Sequence, residues 1–102
     1  MKILAIEKEV PGAEAGGFEP YLKAEAKRLW ELYRQGIVRE VHFKQDRHEA
    51  VLVLECTDAE EAKRILDTLP LVKMGLIIFH VIPLIPYPGF EKLFEAGRQA
   101  AE

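Results

Sequence analysis

The chain has 102 residues, 49% hydrophobic and 30% charged, with a formal net charge of −3. That length fits one domain with a single core, and the composition is that of a folded globular chain rather than a disordered one. Mild acidity with scattered cations excludes a general nucleic-acid binder, the lone Cys56 excludes an internal disulfide or a multi-cysteine zinc site, and the absence of serine excludes Ser-His-Asp catalysis.

Residues 2–10 read as a strand centred on Ile3, Leu4, Ala5 and Ile6, stopped by Pro11-Gly12. After a small-residue loop over 11–17, helical spacing predicts a helix over 18–35, with Leu22, Ala26, Leu29, Tyr33 and Ile37 as its inward stripe and Gly36 as its C-cap. Residues 38–45 and 49–56 alternate as two strands joined at Asp46-Arg47. Val41, Phe43, Leu52 and Leu54 share one face; Glu40, His42, Val51 and Val53 share the other. Cys56 ends this apolar run and reads as a small buried hydrophobe.

Thr57-Asp58-Ala59-Glu60 has the form of a capping box that opens a second helix, with Ala62, Ile65, Leu66 and Leu69 buried and Pro70 ending it. A long apolar strand over 76–84 follows, interrupted only by His80. Pro83, Pro86 and Pro88 then keep the chain extended to Gly89. Phe90, Leu93 and Phe94 give a short amphipathic helix towards the end of the chain. The order β-α-β-β-α-β is the α+β ferredoxin-like arrangement, a four-stranded antiparallel sheet with two helices on one face. The expected division is a ferredoxin-like domain over 1–88 and a helical tail over 89–102 that packs on a partner subunit.

With both helices on one face, the other face is left with an apolar patch, assigned by alternation to Ile3, Ala5, Val51, Val53, Ile78 and Ile82. Such a patch calls for a partner, and a two-fold copy packing sheet on sheet is the simplest one. The expected assembly is a homodimer, a dimeric α/β barrel. Alternation also sends Glu7, Glu40, His42 and His80 to this face. Glu7 and His80, on adjacent antiparallel strands, form a candidate proton-transfer pair or else a buried pair that fixes dimer register. Arg39 and His42 are candidates for holding a carboxylate or enolate, and Tyr87 with Phe90 for closing one end of the cavity. Trp30 and Tyr33 read as core or interface residues. His42, His48 and His80 lack metal-ligand spacing, which leaves a metal site possible only across the dimer, and no metal is expected.

No signal-peptide pattern opens the chain and no apolar run reaches the length of a membrane span, so a cytoplasmic protein with no membrane partner is expected. Lack of asparagine beside abundant Glu, Lys and Arg fits a heat-adapted source.

Two segments carry a family likeness. Tyr33-Arg34-Gln35-Gly36 leading through Arg39 into a strand, and Leu69-Pro70-Leu71 followed by a strand ending in Pro83-Leu84, resemble the muconolactone isomerase family over roughly residues 1–88. The resemblance implies a small dimeric α/β barrel that can assemble further. It also implies an enzyme that shifts a double bond in an unsaturated lactone by moving a proton, without cofactor or metal. The chain departs from that pattern in Tyr87-Pro88-Gly89-Phe90-Glu91-Lys92-Leu93-Phe94 and in its second strand, so the resemblance transfers no catalytic residue. The expected function is cofactor-independent proton transfer on a small apolar or lactone-type metabolite. A non-catalytic ligand-binding or accessory barrel is the alternative, and a cofactor-free monooxygenase a third reading.

Overall fold

The structure, a computed structural model, describes residues 1–13 and 17–95. Strand β1 spans Lys2–Glu9, helix α1 Leu22–Arg34, strands β2 and β3 Val38–Phe43 and Ala50–Glu55, helices α2 and α3 Ala59–Leu66 and Pro70–Lys73, and strand β4 Ile77–Pro83. Short 3-10 turns at Glu19–Tyr21 and Pro88–Glu91 precede α1 and follow β4. The four strands form one antiparallel sheet in the order β2-β3-β1-β4. This is the α+β ferredoxin-like fold expected from the sequence. Among the described residues no helix is long and apolar enough to cross a membrane.

Local chemistry explains where the elements stop. Helix α1 ends where Gly36 takes φ +78°, a left-handed conformation that side-chain-bearing residues resist. There the Gly36 N–H donates to Tyr33 and the Ile37 N–H to Leu32, closing the last turn. The cap of α2 sits one residue later than the sequence pattern suggests. Asp58 is the N-cap and accepts from the Glu61 N–H at 2.8 Å, while Glu61 reaches back to the Thr57 N–H. Pro70 does not merely end a helix; it occupies the first turn of α3, where its missing N–H costs nothing.

The core lies between the sheet and the helices, built from Ile3, Ala5, Leu52 and Leu54 on the strands and Leu32, Ala62, Leu66 and Leu69 from the helical side. Cys56 is buried, as expected. Two facing assignments need correction. Ile3 and Ala5 pair with Leu54 and Leu52 and lie under the helices, whereas Leu4 and Ile6 pair with Val53 and Val51 on the open face. The cause is that β1 is apolar on both sides from Ile3 to Ile6, so alternation alone cannot say which phase faces inward. On α1, Leu22, Ala26 and Tyr33 are exposed; the inward line is Glu25, Leu29 and Leu32, spaced i, i+4, i+7.

Beyond Pro83 the chain forms an arm. Leu84, Ile85, Tyr87, Phe90, Leu93 and Phe94 are all exposed in the single chain. The radius of gyration is 18.3 Å, against about 13 Å for a compact domain of this length. Packing of the tail on a partner was expected over 89–102; residues 96–102 lie outside the described part.

Candidate functional site

At the end of the sheet where β1 finishes, a cleft of about 570 Å3 opens on the helix side. Its apolar walls are Phe18 and Leu22 before and at the start of α1, Phe43 at the end of β2, and Leu71 in α3. Glu7, Glu9, Asp46, Arg47, His48 and Glu49 supply the polar lining, with Arg47 Nε 3.7 Å from Asp46 Oδ2. The volume suits a small molecule. The hairpin loop after Phe43 forms the rim, where the His48 ring stacks on Phe43 with centroids 5.6 Å apart.

Two carboxyls of this cleft are buried, Glu7 at 5% exposed and Glu49 at 8%. The phase of β1 that buries Ile3 and Ala5 also carries Glu7 inward, to the helix side of the sheet. One of its oxygens, Oε1, accepts the Ala50 N–H at 3.2 Å. Every fully enclosed side-chain polar atom among the described residues has a partner, so Oε2, which has no hydrogen bond among those residues, is not fully enclosed, and Glu7 is part of the cleft lining. Desolvation is the main effect on this group and raises its pKa above the ordinary 4.5. The Ala50 N–H works against that rise, and the charges of Glu25, Glu49 and Glu9 add to it.

Glu25 projects inward from α1 and is 8% exposed. Its Oε1 accepts the Leu71 N–H at 2.9 Å, satisfying an otherwise orphaned donor in the first turn of α3. Burial raises its pKa too, opposed by the Leu71 bond. Glu49 differs: Lys44 Nζ lies 2.9 Å from its Oε1 and lowers its pKa, while the same bond raises that of Lys44. Glu49 is therefore held as an anion, whereas Glu7 and Glu25 hold their protons more tightly than ordinary carboxyls. Among the described residues no group of three or more His, Cys, Asp and Glu side chains is placed to hold a metal ion.

The structure scatters the residues singled out from sequence. Glu7 and His80 are not neighbours: Glu7 pairs in register with Phe79 on the helix side, and His80 pairs with Ile6 and stands exposed on the open face. A strand residue and its neighbour in sequence point to opposite faces, so the sheet lies between the two side chains. The proposed dyad does not exist within one chain. Arg39 is the extra residue of an irregularity in β2. With His42 it lines a second groove, between edge strand β2 and α1, and neither touches the Glu7 cleft. His42 Nε2 lies 3.0 Å from Glu40 Oε1 in an exposed pair. Tyr87 sits out on the arm against Phe90, their rings edge to face with centroids 5.0 Å apart.

Glu25, Arg47 and His48 were not identified as site residues from sequence. For Glu25 a signal was present, a carboxylate in phase with Leu29 and Leu32 on the buried line of a helix. Arg47 and His48 carried none, because a charged turn ordinarily lies in solvent.

No family model matches the chain, and no curated protein matches its sequence. Among solved structures, the chain is similar to 5-chloro-2-hydroxyhydroquinone dehydrochlorinase (TftG) from Burkholderia phenoliruptrix AC1100, determined in complex with 2,5-dihydroxybenzoquinone. The two share 18% identity and superpose with a TM-score of 0.68 over 85% of this chain and 96% of that one. At that identity the likeness shows the fold alone, the ferredoxin-like α+β architecture.

Proposed function

We propose that this protein is an enzyme that moves a proton on a small, largely apolar carbonyl compound bound in the Glu7 cleft, without a cofactor. The observation that carries the reading is Glu7 itself: a buried carboxyl with raised pKa, anchored through one oxygen in the lining of a cleft that also contains Phe18, Leu22, Phe43 and Leu71. For an unsaturated lactone, Glu7 as carboxylate removes a proton from the carbon next to the double bond. The electron pair spreads into the conjugated system and onto the carbonyl oxygen as a dienolate. The protonated Glu7 then returns the proton at the far carbon, so the double bond shifts and the enzyme is unchanged. Arg47 and His48 at the rim are the groups available to stabilise the oxyanion. The likeness in fold to a dehydrochlorinase complexed with a quinone is compatible with a carbonyl ligand of this kind.

The assembly proposed for the working enzyme is a homodimer through the open sheet face, whose apolar residues are Leu4, Ile6, Val51, Val53, Ile78 and Ile82.

The test is solvent exchange. The protein is incubated in D2O with an α,β-unsaturated lactone and deuterium incorporation is followed by NMR. Catalysed exchange is expected, and Glu7→Gln should lower it by ~10²-fold or more, the usual scale for a general acid or base. Saturable binding without any catalysed exchange would leave a ligand-binding barrel and reject the enzyme reading.

A further inference from the structure

The arm after β4 is apolar, exposed and locally ordered at once. Ile85, Tyr87, Phe90, Leu93 and Phe94 are between 66% and 76% exposed, more than solvent tolerates in a segment with no partner. Tyr87 adopts φ −64° and ψ 117°, the extended conformation that the flanking Pro86 and Pro88 favour. The Tyr87 ring folds over Gly89, so that a Cβ at that position would collide with it, and meets Phe90 edge to face. The result is a preformed aromatic knob on a proline-stiffened arm, which needs little ordering on binding.

The same chain carries a matching groove. Between α1 and edge strand β2 lies a mostly apolar hollow of about 620 Å3, walled by Leu29, Trp30, Tyr33, Arg39 and Val41. Trp30 and Tyr33 stack there with centroids 5.8 Å apart and an interplanar angle of 20°, and both are more than half exposed. Aromatic-walled grooves of this kind take proline-rich extended segments. Charge also matches: Arg39 at the groove and Glu91 after the knob each take part in no ion pair among the described residues.

We propose that the arm of one copy docks in the α1–β2 groove of a second copy, its Tyr87–Phe90 knob against Trp30 and Tyr33 and its Glu91 against Arg39. The arm leaves from β4, the sheet edge opposite β2, and stands away from its own body. A second copy is therefore the occupant within reach. The groove and the Glu7 cleft share no residue, so this contact is independent of the proposed chemistry.

Trp30 is the only tryptophan, and its fluorescence reports occupancy of the groove directly. In the full-length protein, emission should be that of a shielded indole at high concentration and shift to longer wavelength on dilution, in step with a fall in mass by light scattering. Tyr87→Ala with Phe90→Ala should give the long-wavelength emission and the lower mass at all concentrations. Gly89→Ala, which keeps every apolar side chain but unseats the knob, should shift both in the same direction. Arg39→Glu should release the arm, and adding Glu91→Arg should restore both readings. Trp30 emission that is identical in the wild type and the double alanine variant would overturn the proposal. So would a Trp30 that responds to the arm variants in a species that light scattering shows to be a monomer, since the arm would then occupy its own groove.

Discussion

Glu25 ties α1 to α3 through one bond, and its removal separates two effects that usually travel together. The Leu71 N–H belongs to the first turn of α3, whose N-cap residue, Leu69, offers no side-chain acceptor. Glu25→Ala leaves that buried donor without a partner, a loss of about 2 kcal/mol within the range for unsatisfied buried groups. For a domain of this length that corresponds to a fall in melting temperature of about 8–16 °C. Glu25→Gln keeps an oxygen for the Leu71 N–H and removes the charge that burial penalises, so at neutral pH it should melt at or above the wild type. The pH dependence follows from the raised pKa of Glu25. The folded state binds this proton more tightly than the unfolded chain, so the associated stability is full below the ordinary value of 4.5 and is lost as pH rises through the folded value. The wild type should thus gain on the Gln variant as pH falls. Thermal unfolding followed by circular dichroism at pH 7 and below pH 4.5 measures both. The reasoning fails if Ala and Gln variants melt together, or if the gap between wild type and Gln variant does not narrow in acid.

Three further outcomes follow from the same geometry. Asp58→Ala removes the N-cap of α2 and should cost about 1 kcal/mol in denaturant unfolding, with Glu61→Ala, which loses the reciprocal half of the box, costing less. His80→Gln should leave lactone exchange unchanged, because the sheet separates His80 from Glu7; a large loss would mean that another copy brings the histidine to the cleft. Val53→Asp places an unpaired charge in the centre of the open face and should convert a dimer to a monomer by light scattering; a wild type that is already monomeric at micromolar concentration would reject the sheet-on-sheet dimer.

The parts legible in the sequence were those with a one-sided pattern. Polar Glu40 and His42 on one face with Val51 and Val53, and Val41 and Phe43 on the other with Leu52 and Leu54, gave the hairpin its correct faces. Gly36 marked the end of α1 because the turn there requires a positive φ. Strand β1 offered no such asymmetry: Ile3, Leu4, Ala5 and Ile6 satisfy either phase, and Glu7 and Lys8 are both charged. The phase is set by tertiary pairing of Ile3 with Leu54 and Ala5 with Leu52, and an error of one residue there moved Glu7 from the helix side to the open face. The candidate site inherited that error, pairing Glu7 with a histidine on the far side of the sheet. On α1 the cause was different. A stripe through Leu22, Ala26 and Tyr33 counts apolar residues, whereas the buried line runs through Glu25, whose cost is offset by the Leu71 N–H.

The central claim is that Glu7 is the group that moves the proton, and its coupling to Glu25 offers the most direct test. The charge of Glu25 raises the pKa of Glu7. Lactone exchange should therefore rise with pH along a limb set by ionisation of Glu7, with its midpoint above 4.5 and coincident with the titration of Glu7 followed by 13C NMR. Glu25→Gln, which touches neither the Ala50 bond nor the open oxygen of Glu7, removes one negative neighbour. The limb and the NMR titration should move together to lower pH. A limb that stays in place while the NMR titration moves would assign the proton transfer to a different group.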